Sequence, residues 1–392
     1  MPRAARLARA AGAALAAITA AVAGSAAPAA ARPAGPAAPA RPLGSGQPVS
    51  ASYRPQTADS WPDGGVYTVV ATSAANAWAL GSTDLGQRLL IRHWDGSTWT
   101  QSAATSGTLP AAGGLNEVVG SAATSADDIW GVGLTGAGRR ALIVHWDGSA
   151  WTRVALPRLG GVDSGLAAVA ALTPQDAWAV GQAADSTQTL ILHWDGSSWQ
   201  QVPSPSPAGY SQLEGIHAVS ATSIWAVGQS GRGAAMTTLI LHWNGTAWSQ
   251  VASPSPPGGS QLASVSATSP RNAWAVGETG PDSLILHWNG RAWRRVPSPN
   301  ARGVVGTTLA GVAAVSPRSA WAVGSGGNPV SALILRWNGR AWRAVPAPPD
   351  RPGTTPEQVL AGVIAAGRGS TWAVGQDGNF PVALRWNGRS WN

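Results

Sequence analysis

A carboxylate and an imidazole stand three residues apart in the run Leu213-Glu-Gly-Ile-His217, and an amide and a second carboxylate adjoin at Asn116 and Glu117. A carboxylate beside an imidazole can work as a general acid and base, and convergent polar groups of this kind can hold a small polar ligand. Both runs are short and β-prone, and residues three apart on a regular strand face opposite sides. On that geometry Glu214 and His217 would not act together, and the competing reading of all four residues is a solvated channel lining. Five of the six histidines (His93, His145, His193, His242, His287) share one repeated position, which Arg336 and Arg385 fill in its last two copies. Copies in separate repeats cannot converge on one ion, so no metal site is expected, and no cofactor. No nucleophile elbow or phosphate loop appears. The sequon Asn244-Gly-Thr246 is explained by the turn in which it lies.

The elements that must position these groups come from a repeat. Asn-Ala-Trp-Ala-Val-Gly (272–277), a variable loop and Leu-Ile-Leu-His-Trp-Asn-Gly-Arg-Ala-Trp (284–293) form its clearest copy, and it occurs seven times. Its three tryptophan positions account for 21 of the 22 tryptophans. The first of them recurs every 47 to 52 residues, a period that means propeller blades or solenoid turns. Within a copy, 262–267, 273–277, 284–288 and 292–296 are four β-prone runs separated by Gly, Pro, Asn and Ser. Four strands in each of seven repeats predict an all-β fold, a seven-bladed β-propeller with four antiparallel strands per blade. Residues such as Leu190, Leu192 and Trp194 alternate with Ile191 and His193, so the third strand is expected to bury both faces between blades.

Residues 1–31 have the basic start, apolar run and small-residue end of an export signal, too short and alanine-rich to span a bilayer. Residues 32–60 are rich in Ala and Pro and are expected to be a linker. The propeller is expected over 61–392. The chain stops one residue past the last repeat tryptophan, leaving blade seven short of its fourth strand. An open edge is a liability, and 48–54, with Val49, Ala51 and Tyr53 alternating, is the segment expected to pair there. Cysteine is absent, so packing rather than disulfides must brace the fold.

The motifs Trp-Ala-Val-Gly and His-Trp-(Asn/Asp)-Gly-x-x-Trp resemble repeats of secreted bacterial propellers. The turn Trp94-Asp-Gly-Ser-Thr-Trp99 is similar to the Asp-box of sialidase-like propellers, although its Asp stands one residue closer to the Gly and no Ser leads it. Ile129-Trp-Gly-Val132 with Trp146-Asp-Gly148 resembles tectonin-type lectin repeats, which are shorter. In both families these motifs belong to the scaffold, so the resemblance implies a fold more than an activity. Sialidase-like catalysis would need arginines, a tyrosine and acids converging on the axis, and Tyr53, Tyr67 and Tyr210 stand in no such motif.

Charge is unevenly spread. All 26 basic residues are Arg; residues 60–259 hold 7 Arg against 12 acids, whereas 260–392 hold 13 against 5. On one face of the ring Arg271, Arg291, Arg318, Arg340, Arg368 and Arg389 are expected to form one sector, facing a sector of Asp95, Asp127, Asp128, Asp147, Asp176 and Asp195. The arginine sector suits an anionic polymer or self-association. Ligand binding by Asn116, Glu117, Glu214 and His217 is expected on the opposite face, where the loops vary.

Together these features describe a secreted, non-catalytic binding module for cell-surface or extracellular polysaccharide. The alternatives are a polysaccharide hydrolase or lyase with an axial site and a protein-interaction scaffold. The expected partner is an extracellular glycan or anionic polymer, with no nucleic acid and no membrane span after signal removal.

Overall fold

The computed structural model describes residues 64–392 apart from 84–85, 103–114, 137–139, 160–163, 184–186, 208, 300–305, 350–356, 366–370 and 379. The export signal, the linker and the 48–54 segment expected to pair with blade seven lie outside the described residues. Those described form 27 strands in seven antiparallel sheets, six of four strands and the last of three, each in chain order. This is the seven-bladed propeller. Blade four shows the pattern, with strands Ser211–Ser220, Ser223–Ser230, Thr237–Trp243 and Trp248–Gln250 from inside to outside. The outer strand is three residues long because a proline-rich crossover follows it, and proline cannot continue a ladder.

The apolar core lies between blades. Trp178, Val180 and Ile191 of blade three pack with Leu213, Ile216, Ala226 and Leu239 of blade four. Trp225, Val227 and Ile240 of blade four pack in turn with Leu262, Val265 and Leu284 of blade five. The three inner strands of each blade thus bury both faces, as their apolar residues require, whereas the outer strand buries little beyond its tryptophan.

The tryptophans tie each blade to the next. The first tryptophan of one blade meets the second and third of its successor, as Trp225 does with Trp288 at 5.1 Å and, edge to face, with Trp293 at 5.2 Å. Such tilted and T-shaped pairs are favoured by the ring quadrupole. The seventh interface repeats the other six: Trp372 lies 5.3 Å from Trp94 and 5.5 Å from Trp99 of blade one. Among the described residues the outer edge of blade seven carries only a stub, in which Trp391 bridges to Trp386 and Arg385 and Asn392 exchange two backbone hydrogen bonds.

The repeated histidine stacks on the first tryptophan of its own blade, at 4.1 Å for both Trp130–His145 and Trp178–His193. In blades two to five its Nε2 then pairs with the residue opening the second strand, Asp128 at 2.7 Å, Asp176 at 2.9 Å, Ser223 at 3.1 Å and Asn272 at 2.8 Å, whereas that of His93 in blade one has no partner among the described residues. In blades six and seven a guanidinium takes over the stack, Arg336 over Trp321 at 5.1 Å and Arg385 over Trp372 at 5.5 Å. The position is a packing position, which explains its regular spacing.

The Asp-Gly and Asn-Gly turns share one hydrogen-bond pattern. Asp95 Oδ1 accepts from the N–H groups of Ser97 and Thr98, each at 2.8 Å; Asn338 Oδ1 accepts from those of Arg340 and Ala341, each at 2.9 Å. The glycine that follows has a positive φ, 100° at Gly96 and 90° at Gly339, a conformation that glycine adopts without a steric penalty.

Candidate functional site

The inner strands Gly64–Ser73, Asn116–Ser125, Gly165–Thr173, Ser211–Ser220, Ser260–Ser269, Thr307–Ser316 and Gln358–Ala365 each touch the next, and the last touches the first, so they enclose the axis. Every one carries a bulge at the same place. In blade four Leu213 pairs with Gly228 but Gly215 with Val227, which leaves Glu214 as the extra residue. The counterparts of Glu214 are Tyr67, Val119, Ala167, Ala263, Ala310 and Ala361. The bulge also accounts for the glycine of the Trp-Ala-Val-Gly motif. A Cβ on Gly228 would stand 2.0 Å from the Gln212 carbonyl oxygen, so only glycine lets the two backbones approach.

The bulge corrects the expectation drawn from strand alternation. An inserted residue shifts the phase, so Leu213 and Ile216, three apart, share one apolar cluster. The alternation that would have sent Glu214 and His217 to opposite faces is removed in the same way. Both side chains are buried, at 4% and 5% exposure. His217 is hydrogen-bonded to the backbone carbonyl of Ala267 on blade five. Burial outweighs that bond and lowers the imidazole to about 4, while burial alone holds the Glu214 carboxyl well above the usual carboxylate range. Burial thus favours the neutral form of each. The main cause of each shift is burial, opposed at His217 by the Ala267 bond.

Above Glu214, the starts of the inner strands and the ends of the second strands form a polar mouth. Glu278 ties blade five to blade six, its Oε1 accepting from Gln261 and its Oε2 from Thr308 Oγ1, both at 2.7 Å. Tyr67 Oη lies 3.1 Å from Ser82 Oγ, and burial, reinforced by the negative charge of Glu117, raises its pKa. Glu117 leans toward blade one, where its carboxylate would lie 3.0 Å from a Cβ on Gly86. Its neighbour Asn116 is a strap: its Nδ2 donates to the Gln87 carbonyl at 3.0 Å and its Oδ1 accepts from Thr135 Oγ1 at 2.7 Å. Gln212 accepts from the Tyr210 hydroxyl, and Gln229 is buried with an Oε1 that has no partner among the described residues. Of the four candidates from sequence, Glu117 is at the mouth, Asn116 is engaged beside it, and Glu214 and His217 lie below. Sequence reasoning missed Tyr67, Gln212, Gln229, Gln261 and Glu278. The available signal was polarity recurring beside the motif glycine, as at Gln182, Gln229, Glu278 and Gln376.

On the opposite face Arg271, Arg291, Arg318, Arg340 and Arg389 are exposed, and Arg368 lies outside the described residues. The side-chain stem of Arg271 lies along the turn that carries Arg291, and that of Arg318 along the turn that carries Arg340, so the charges gather within blades. The facing aspartate sector is smaller than expected, because Asp128 and Asp176 turn inward to their histidines and leave Asp95, Asp127, Asp147 and Asp195 exposed.

No protein-family model matches the chain, and no curated protein matches its sequence. Its fold is similar to that of solved propellers. One is YCF48 bound to D1 peptide, with 16% identity over 83% of this chain and 94% of that one at a TM-score of 0.54. A second is YCF48 from Cyanidioschyzon merolae, with 17% identity over 83% and 97% at 0.53. A third is a GH74 xyloglucanase from Xanthomonas campestris, with 18% identity at 0.57 over 84% of this chain but 54% of that one, so the chain spans about half the xyloglucanase's length. At these identities the likeness establishes the propeller scaffold.

Proposed function

We propose that the protein is a secreted, non-catalytic binding module that takes an extracellular polysaccharide at the axial mouth. The observation that carries this reading is the ring of amides and hydroxyls there, with the unpartnered Gln229 Oε1 among them. Amides donate and accept at once, as sugar hydroxyls do, and a fixed polar ring on a rigid scaffold loses little entropy on binding. Asn116, Glu117, Glu214 and His217 contribute unequally. Glu117 faces the ligand, Asn116 holds the rim, and the buried Glu214 and His217 form the floor. The test is a glycan-array screen of the mature chain beside Glu117→Gln and Gln229→Ala variants. Binding of a neutral polysaccharide by the parent, weakened in both variants, is the expected result; equal binding by all three would remove the axial mouth.

A second reading is a peptide-binding scaffold, favoured by the shared fold of YCF48 bound to D1 peptide. Binding of peptides but of no glycan in matched screens would select it.

A further inference from the structure

Hydroxyl groups clamp the crossovers that leave blades three to five. Thr189 Oγ1 lies 2.7 Å from Ser204 Oγ and 2.9 Å from Ser206 Oγ, and the Thr189 N–H donates to Ser206 Oγ at 3.1 Å. Blade four repeats this with Thr238, Ser253 and Ser255, at 2.8 Å and 3.0 Å. Blade five keeps Ser283 and Ser298, at 2.6 Å.

Blade two has none of these groups. Its crossover starts from the same anchor: the Val154 N–H donates to the Ile143 carbonyl at 2.9 Å, as the Val202 N–H does to that of Ile191. Counting from there, Ala141 stands in place of Thr189, Leu156 in place of Ser204 and Arg158 in place of Ser206. With no clamp, a groove of about 440 Å³ lies there, lined by Arg140, Arg153, Val154, Leu156, Leu159 and Ser164 among others. Its size falls at the small end of the range for small-molecule sites. Leu156 and Leu159 are half-buried against the core and give it an aliphatic wall. Arg140 is exposed, and Arg153 brings a second guanidinium.

Ser164 supplies the independent sign of a ligand. It is 5% exposed, and its hydroxyl has no partner among the described residues. Its counterparts Ser211 and Ser260 donate to the carbonyls of Pro207 and Pro256 at 3.0 Å and 2.8 Å. A buried hydroxyl without a partner costs free energy that a bound acceptor would recover.

We propose that this groove is a binding site for a medium-chain aliphatic carboxylate. The head sits against Arg140 and accepts from the Ser164 hydroxyl, with Arg153 lining the groove beside it; the tail lies along Val154, Leu156 and Leu159. The guanidinium fork suits a planar carboxylate. The wall is aliphatic, and among its described residues none is an aromatic ring to stack on a sugar. The site is separate from the axial mouth, so neither reading depends on the other.

The test titrates octanoate into the full chain by calorimetry, with octylammonium, acetate and octyl phosphate as comparison probes. Octanoate is expected to bind at least about tenfold more tightly than any of the three, and Arg140→Gln to weaken it by about tenfold, the loss of one charge-assisted contact. The triple variant Ala141→Thr, Leu156→Ser, Arg158→Ser copies the blade-three clamp and is expected to abolish binding without lowering the melting temperature. Glu117→Gln at the axial mouth is expected to leave octanoate binding unchanged. Equal binding of octanoate and octylammonium, tighter binding of octyl phosphate, or no saturable octanoate binding would overturn the proposal. So would full affinity in the triple variant, and if that variant does not fold, Arg140→Gln decides alone.

Discussion

Trp321 of blade six and Trp391, the penultimate residue, meet edge to face with ring centroids 5.2 Å apart. Trp391 also bridges to Trp386, so a single side chain ties the end of the last blade into the sixth interface. Trp391→Ala is therefore expected to destabilise the ring by roughly 3 to 5 kcal/mol, as large-to-small changes at buried aromatics do. Chemical denaturation measures this, and a loss under about 1 kcal/mol would show that the stub is dispensable.

Stability is expected to depend on pH through the two buried axial groups. His217 is lowered in the fold to about 4, below its ordinary 6.5. Its contribution is fully present above pH 6.5 and is lost as pH falls toward 4, a span worth about 3 kcal/mol. Glu214 is raised, so its contribution is present below its unfolded value and is lost as pH rises through the folded one. Glu214→Gln should accordingly raise the melting temperature at pH 8 and leave it unchanged at pH 4. A variant that melts in parallel with the parent at every pH would contradict the assignment.

Asp147 Oδ1 accepts from the Ser149 and Ala150 N–H groups at 2.8 Å and 2.9 Å, and Asn289 Oδ1 accepts from those of Arg291 and Ala292, each at 3.0 Å. Because the carbonyl oxygen does the same work as the carboxylate, Asp147→Asn should leave the melting temperature unchanged at pH 7 while Asp147→Ala lowers it. Turn hydrogen bonds hold the Asp147 carboxyl down to about 2, so the parent should lose this contribution only as pH falls from the ordinary carboxylate range toward 2. Thermal melts of the three proteins check both points.

The arginine face gives a salt-dependent expectation. Replacing Arg291, Arg340 and Arg389 with Ser, the residue found there at Ser97, Ser149 and Ser197, should weaken retention on an anionic-polymer column at low salt. Single exposed pairs contribute about 0 to 1 kcal/mol, so the sector must act together. Retention of the parent should also fall steeply between 0.1 and 1 M salt, where the Debye length shrinks from about 10 Å to about 3 Å. Unchanged retention together with an unchanged sedimentation profile would reduce the sector to a solubilising surface.

Much of the fold was legible because tryptophan is bulky and its spacing is strict. Three tryptophans per repeat revealed the blade count, and the Leu190 to Trp194 alternation revealed that both faces are buried. The bulge was not legible, since one inserted residue in a run such as Leu309-Ala-Gly-Val312 leaves the composition unchanged and its trace is the partner-strand glycine beside it, Gly324 opposite Leu309. Strand alternation was therefore no guide to the faces of Glu214 and His217. The mouth was half legible: Glu117 stood out as a charge, whereas Gln212 and Gln261 looked like ordinary polar strand ends until the ring brought them together. The inward turn of Asp128 and Asp176 depends on the histidine one strand away, a pairing that no local pattern announces.

The interchange of Asp and Asn at the turns bears on how the molecule ages. Asn-Gly is the dipeptide at which an asparagine side chain cyclises most readily onto the next backbone nitrogen, and four turns carry it, at Asn244, Asn289, Asn338 and Asn387. Hydrolysis of that ring to aspartate would install the residue that the first three blades already use, with its acceptor in the same place. The rearranged isoaspartate product would lengthen the backbone and displace that acceptor. Long storage should therefore add negative charge to blades four to seven at little cost in melting temperature wherever plain aspartate forms, and a melting temperature that falls in step with plain aspartate, followed by peptide mapping that separates it from isoaspartate, would refute it.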